Sequence, residues 1–202
     1  MRPPTALLCL LLATAARAAD DHTACIAWAE KHAGETESCQ RRRADQEARC
    51  AKGEAEACFE AGELWDDLSR NLNTPGNASR ALRSFEAACK AGDEEGCWRA
   101  ASVLDDERAG KLRDRKRARS IYRASCDRGF GRSCHALAYL YQQGKGVKRD
   151  FKRGAALFDR ACAKGDATAC QELWMQANEA RDGVRAAKYR ELACAAGECP
   201  SF

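Results

Sequence analysis

Apolar and small residues recur at every third or fourth position along most of the chain, in short stretches that end near glycines. In the clearest stretch, Ala118, Tyr122 and Cys126 lie on one helical face, and Gly129 ends the helix. A second stretch opens at Ser133-Cys134, with an apolar stripe on Leu137, Ala138, Leu140 and Tyr141. The pattern predicts two antiparallel helices joined by a tight turn. No strand alternation appears, so we expect the mature chain to be all-α.

This helix–turn–helix pattern recurs, and two cysteines eight positions apart mark each copy, with a glycine three residues after the first. The four full copies contain Cys50 and Cys58, Cys89 and Cys97, Cys126 and Cys134, and Cys162 and Cys170; a shortened copy contains Cys194 and Cys199. The first cysteines are 39, 37, 36 and 32 residues apart. A period of this length predicts stacked helix pairs, four to five of them here, rather than a globule with one core.

Two positions before the first cysteine of each copy repeat their chemical character. The position four residues before is Phe85, Tyr122 and Phe158 in successive copies, whereas Gln46 stands there in the first. The position eight residues before is small: Ala81, Ala118 and Gly154. Small residues there predict a close approach of two helices. The four tryptophans fall on helical stripes and are expected to pack in the core: Trp28, Trp65, Trp98 and Trp174.

The connections between copies vary in character. Residues 71–77 contain Pro75-Gly76, and residues 108–113 are strongly charged. Variable connectors between constant helices are typical of repeat arrays.

The first eighteen residues have the pattern of a secretory signal. A basic start at Arg2 precedes an apolar run from Ala6 to Leu12, and Ala16-Arg-Ala18 provides the small residues of a cleavage site. We therefore expect a signal peptide at 1–18, cleaved after Ala18, and a secreted or periplasmic protein. Residues 19–35 then predict an N-terminal capping helix, and residues 36–202 the repeat array.

Cleavage would remove Cys9 and reduce the thirteen cysteines to twelve. An even count in an exported chain favours a disulfide framework. A tight turn centred on the glycine would bring cysteines eight apart within the ~4.4–6.8 Å between Cα atoms that a disulfide needs. Zinc ligands are usually closer in sequence, so we expect no metal. Cys25 and Cys39 are the pair outside the regular unit, and their pairing stays open.

The formal charge of +4 falls to about +2 without the signal. Basic residues cluster at 41–43 and 111–119. Solvated helix faces explain these clusters better than nucleic-acid binding, because an exported protein meets little nucleic acid. We expect neither nucleic-acid binding nor a membrane span.

No motif for catalysis or for cofactor binding stands out. A serine β-lactamase places a lysine three residues after its nucleophilic serine, and no serine here has one. The chain also lacks G-x-S-x-G, phosphate-loop and dinucleotide fingerprints. His135 follows Cys134, so a Cys–His dyad is conceivable, but a structural half-cystine is the better interpretation of Cys134. We expect no catalytic residue and no cofactor.

The segment from Cys134 to Asp150, with Gly144-Lys-Gly146-Val147 at its end, followed by Ala155 to Phe158 and Cys162, resembles a Sel-one-like repeat. The cysteine spacing makes it similar to the Hcp-type secreted, cysteine-rich members over residues 36–199. This resemblance implies a right-handed α/α superhelix, a tetratricopeptide-like solenoid, that serves as an adaptor surface. Some Hcp-type proteins are labelled penicillin-binding or β-lactamase-like hydrolases, which is the alternative function.

The favoured function is a monomeric scaffold that binds a protein or peptide in a concave groove. The position after the second cysteine varies between copies, as expected of a binding face. Together with Tyr139, this position gives the candidate partner-binding residues: Phe59, Trp98, His135, Tyr139 and Gln171. A third possibility, a redox protein with labile disulfides, is disfavoured because the pairs lack the two-residue spacing of oxidoreductases.

Overall fold

The computed structural model describes residues 37–72 and 75–199, and all regular structure within these ranges is helical. The expectations for the signal peptide, the capping helix and Cys25 lie outside the described residues. The chain divides into two compact units at Ala91 and Gly92. The prediction of an all-α array of consecutive, disulfide-linked helix pairs is confirmed.

The first unit contains three described helices: α1 (Glu37–Ala51), α2 (Ala55–Leu72) and α3 (Pro75–Lys90). Proline suits the first helical position, because its missing N–H would have no partner there in any case. The expectation that Pro75 lies in a connector is therefore wrong. Phe85 of α3 is fully buried and lies directly over Gly62 of α2, where an added Cβ would come within 2.5 Å of the ring.

The second unit contains three consecutive helix pairs. They are α4 (Glu94–Asp105) with α5 (Arg115–Arg128), α6 (Gly131–Gln143) with α7 (Phe151–Ala163), and α8 (Ala167–Glu179) with α9 (Gly183–Ala195). We call the first helix of each pair its A helix and the second its B helix. The charged connector after α4 forms a short 3-10 helix, Glu107–Leu112, and α6 begins at Gly131, two residues before the predicted start.

Aspartates begin five of the six helices in this unit, preceding α4, α5, α7, α8 and α9. Each carboxylate accepts a hydrogen bond from a backbone N–H of the first helical turn, as Asp182 does from Arg185 N at 3.0 Å. At the other end of α5, Gly129 adopts the predicted left-handed conformation with φ 102°. Because these caps satisfy backbone groups at the helix ends, one short helix can follow another after only a few residues.

Disulfides close the turns between successive pairs. The Cα atoms of Cys126 and Cys134 lie 4.6 Å apart, and those of Cys162 and Cys170 also 4.6 Å. Two further bridges join Cys50 to Cys58 and Cys194 to Cys199. The half-cystines also include Cys39, Cys89 and Cys97. The bridges that begin at Cys50, Cys126 and Cys162 each join the end of one helix to the start of the next.

The core of the second unit consists largely of alanine and cysteine around a few large side chains. Phe158 is fully buried at the position four residues before Cys162, and Tyr122 is buried at the equivalent position. Gly154 lies against α6, where an added Cβ would come 3.2 Å from the carbonyl oxygen of Ala138. The small position thus permits the close helix approach expected from the sequence.

Two copies depart from the repeat pattern at the aromatic position before the first cysteine. In the first unit Gln46, at the aromatic position, is buried and accepts a hydrogen bond from Arg49 at 3.3 Å. In the terminal copy the buried aromatic is Tyr189, five residues before Cys194 instead of four.

Candidate functional site

The A helices of the second unit carry a row of half-buried side chains at equivalent repeat positions. Trp98 of α4, His135 of α6 and Gln171 of α8 each follow the second cysteine of a pair by one residue and are each half-buried. We call these residues, with Arg132, Tyr139 and Glu172, the A-helix row. The row is built by the repeat itself, because the same helical position returns to the same face in every A helix.

Arg132 connects α6 to α4 within this row. One guanidinium nitrogen donates to Glu95 Oε1 at 2.6 Å, and the guanidinium carbon lies 5.5 Å from the centre of the Trp98 ring. The Arg99 guanidinium lies at the same distance from this ring. Trp98 is therefore half-buried beside two guanidinium groups, rather than packed in the core as the tryptophan pattern predicts. Its indole is an apolar surface next to cations.

His135 and Tyr139 connect α6 to α8. The His135 ring packs against the rings of Tyr139 and Phe158, with centroids at 5.1 and 5.4 Å. Its Nε2 is 3.5 Å from Glu172 Oε1 on α8. The Tyr139 hydroxyl donates a short hydrogen bond to the same oxygen. One carboxylate oxygen therefore contacts both His135 and Tyr139.

The electrostatics of this cluster keep Glu172 ionised. Burial alone would raise the pKa of Glu172, but the hydrogen bonds from His135 and Tyr139 outweigh it, so the pKa is lowered. Burial and the adjacent carboxylate together raise the pKa of Tyr139 to about 12. On the other side of the imidazole, Nδ1 is 3.6 Å from Asp166, which caps α8. The imidazole thus lies between two carboxylates.

The remaining predicted site residues differ in their surroundings. The Gln171 side chain is half-buried on α8. Phe59, in the first unit, packs against Phe85 with ring centroids 5.8 Å apart. Of the other tryptophans, Trp65 is buried and Trp174 is half-buried.

A chain of hydrogen bonds lies beneath the row, and the sequence pattern does not predict it. Ser133 donates to Ser125 at 2.8 Å, and Ser125 donates to Glu94 at 2.6 Å, which links α6, α5 and α4. Arg128 pairs with the same carboxylate. A usable signal existed, because both serines directly precede the cysteines of one pair.

The contacts of Arg132 and Glu172 also went unpredicted. Arg132 and Glu95 lie two residues before the second cysteine of successive copies, so aligning the copies would have paired their opposite charges. Glu172 lies two residues after the second cysteine of its copy, a position at which charge alone suggests only a solvated face.

None of Cys134, Ser125 and Ser133 is an accessible nucleophile. Cys134 is fully buried in its disulfide with Cys126, so the Cys–His dyad is excluded at His135. Ser125 and Ser133 are fully buried as well. Within residues 37–72 and 75–199, no three histidine, cysteine, aspartate or glutamate side chains are placed to hold a metal ion. Among the helices described, none combines the length and apolarity needed to cross a bilayer.

Two solved structures with folds similar to this one are repeat proteins. A Sel1 repeat protein from Oxalobacter formigenes superimposes with a TM-score of 0.58 at 18% identity, over 73% of this chain and 60% of that one. The protective antigen c5321 of uropathogenic Escherichia coli strains, which displays an SLR fold, gives 0.57 at 16% identity, over 77% of this chain and 34% of that one. The chain thus spans less than two thirds of either structure. No curated protein matches it significantly.

The sequence itself matches the Sel1 repeat profile three times, at residues 55–93, 95–130 and 131–166. In the second unit, these boundaries place an A helix followed by a B helix in each matched repeat, so the Cys126–Cys134 disulfide joins the B helix of one repeat to the A helix of the next. The matches cover more than half of the chain. With its many paired cysteines, the chain belongs to the Sel1 repeat family.

Proposed function

We propose that this protein is an exported, disulfide-stabilised scaffold that binds a protein or peptide segment along its A-helix row. The observation that carries the proposal is the set of half-buried side chains at one repeat position on three successive A helices: Trp98, His135 and Gln171. The cysteine directly before each of these residues is constant, whereas the three residues themselves differ. In helix-pair arrays, the extended concave surface is the binding surface.

The chemistry of the row suits an extended peptide. The Gln171 amide both donates and accepts hydrogen bonds, as a peptide group requires. Trp98 offers aromatic area, and large aromatic side chains carry much of the binding energy at protein interfaces. Because the hydrogen bonds to Glu172 fix Tyr139 and His135 in advance, little side-chain entropy is lost on binding there.

The cysteine framework also supports export of the protein and its placement in the Hcp-type subfamily. Multiple disulfides are typical of oxidising compartments outside the cytoplasm. With the signal pattern ending at Ala18, this supports export to the periplasm or the medium. The monomeric state stays a prediction. The eight-residue cysteine spacing supports placement among the Hcp-type cysteine-rich members.

Peptide display tests the binding function directly. A random-peptide phage library is panned on the oxidised mature chain, and a selected peptide is titrated by fluorescence anisotropy. We expect Trp98→Ala to weaken binding about tenfold or more, and Gln171→Ala to weaken it less. Arg123→Ala, exposed on a B helix, is the matched control. Failure to select any saturable binder, or equal affinities for Trp98→Ala and the control, would contradict the proposal.

The alternative function, β-lactam hydrolysis, is separated by nitrocefin turnover. No residue arrangement described above favours this activity, and we expect the oxidised protein to give no turnover above that of a heat-denatured sample. Reproducible turnover that copurifies with the folded protein would instead support the hydrolase.

A further inference from the structure

A second candidate site lies at the connection between α6 and α7, on other residues than the A-helix row. A cleft of about 360 Å³ is lined by Tyr141, Val147, Asp150 and four cationic side chains. The four cations are Arg119, Lys148, Arg149 and Arg153. Four of the seven residues that line the cleft are therefore cationic.

The region around the cleft concentrates the basic residues of the chain. Residues 111–153 contain fourteen lysines and arginines but only three acidic residues, Asp114, Asp127 and Asp150, although the whole chain has a formal charge of just +4. The remainder of the chain is therefore net negative. Such a one-sided field attracts anions to this part of the surface.

The cations of the cleft lack the carboxylate partners that neighbouring cations have among the described residues. Arg115 pairs with Asp105 and Glu107, and Lys145 lies 3.9 Å from Glu107. By contrast, none of the four cleft cations forms an ion pair with any carboxylate of the described residues. Asp150, the one carboxylate in the wall, already accepts the N–H of Arg153 as the cap of α7. The positive charge of the cleft is thus largely uncompensated.

The wall of the cleft is held in place before any ligand arrives. Lys145 N donates to the Leu140 carbonyl at 3.1 Å, and Asp150 N donates to the Tyr141 carbonyl at 2.9 Å, which fixes both ends of the loop. Arg119 donates to the Gly146 carbonyl at 3.2 Å. Gly146 has φ 68°, and an added Cβ would come 2.8 Å from the Arg115 Cβ, so only glycine allows this approach to α5. The Arg153 guanidinium lies over the buried Tyr141 ring at 4.7 Å.

We propose that this cleft binds a phosphate group carried by a ligand. Three guanidinium groups and one ammonium group face one carboxylate, so a single carboxylate ligand would leave most of the charge uncompensated. A phosphate monoester carries up to about two negative charges and three acceptor oxygens. Guanidinium groups bind such oxygens through paired, charge-assisted hydrogen bonds. The volume admits a phosphate together with part of its carrier.

Titration of the oxidised mature chain with inorganic pyrophosphate tests this site, followed by the backbone amide NMR signals of residues 144–150. We expect saturable shifts that weaken as salt is raised. The triple variant Arg119→Gln, Arg149→Gln, Arg153→Gln should bind at least about tenfold more weakly. The matched control removes three exposed cations outside the cleft wall: Lys116→Gln, Arg123→Gln and Lys152→Gln. Because both variants lose the same net charge, only a local site separates them.

A second arm distinguishes the carrier of the phosphate. Flotation with phosphatidylcholine vesicles that contain phosphatidic acid, compared with phosphatidylcholine alone, reports lipid-borne phosphate. Binding of pyrophosphate without flotation indicates a soluble ligand, and flotation that the triple variant abolishes indicates a lipid headgroup. Absence of binding in both arms, or equal losses in the cleft and control variants, overturns the proposal.

One further variant keeps the test decisive if the triple variant misfolds. Lys148→Gln removes a cleft cation that forms no hydrogen bond or ion pair with another described side chain. If the triple variant loses its helical circular dichroism, Lys148→Gln must still weaken pyrophosphate binding measurably, and unchanged binding counts against the site.

Discussion

Cys126 and Cys134 are eight residues apart in the chain, yet their Cα atoms lie 4.6 Å apart across the turn at Gly129. On one continuous helix, the same residues would be separated by about 12 Å. The bridge therefore exists only because the chain reverses at the glycine.

Replacement of Cys126 and Cys134 together by alanine is expected to lower the free energy of unfolding by about 2–3 kcal/mol. On the chain-entropy model, the disulfide restricts the unfolded state by this amount for a loop of this size. Denaturant unfolding without reductant, followed by circular dichroism, measures the change. The same replacement at Cys194 and Cys199 is the control. Because Cys199 is exposed whereas Cys126 and Cys134 are fully buried, this control should cost less. Equal stabilities of wild type and the Cys126/Cys134 variant would contradict the assigned role.

Gly62→Ala is expected to destabilise the first unit by about 1–3 kcal/mol, because overpacking forces neighbouring groups to move. The added methyl would come within 2.5 Å of Phe85, which is fully buried and has no free space to shift into. Gly76→Ala, in the same unit, meets no atom within 4 Å and should change stability little. Thermal unfolding of the two variants checks the difference, and the prediction is wrong if they melt together.

The protein is expected to lose stability as the pH falls below about 4.3, the ordinary pKa of a glutamate. The folded-state pKa values of Glu172 and Glu94 are lowered, because their hydrogen bonds outweigh the opposing effect of burial. A lowered folded pKa means that the unfolded state binds protons more readily. The stabilisation is therefore present above the ordinary pKa and is lost as the pH falls through the folded value.

Glu172→Gln should lower the free energy of unfolding at neutral pH by about 1–2 kcal/mol and should flatten the acid dependence. Denaturant unfolding across a pH series measures both effects. Glu179→Gln, exposed on the same helix, is the control and should keep the acid dependence of the wild type. Identical pH profiles for the two variants would show that Glu172 contributes nothing to acid sensitivity.

Asp182→Ala is expected to cost about 1 kcal/mol, the usual value for a lost N-cap. Asp182 accepts the N–H of Arg185 at 3.0 Å at the start of α9. Hydrogen exchange should therefore accelerate in the first turn of this helix. Glu191→Ala, exposed on α9, should leave that exchange unchanged. Protection that is equal in both variants would argue against the cap.

Much of the fold followed from local pattern. Gly129 was predicted as the left-handed end of its helix because few other residues adopt a positive φ at low cost. The small position at Gly154 was predicted to allow close helix packing, and the Cβ contact distances there agree. Pro75 was misplaced in a connector, because proline is equally compatible with a turn and with the first helical position.

The sequence by itself determined the repeat, the reversal at each glycine and the positions of Cys126 and Cys134. These features depend on residues that lie close together along the chain. Only the tertiary structure decided that Glu172 binds Tyr139, that Arg132 lies near Trp98, and that Arg119 and Arg153 line one cleft. These contacts join residues about 30 to 40 positions apart. Their existence depends on how neighbouring helices are rotated against each other, and this rotation is set by the packing of buried side chains rather than by the local pattern.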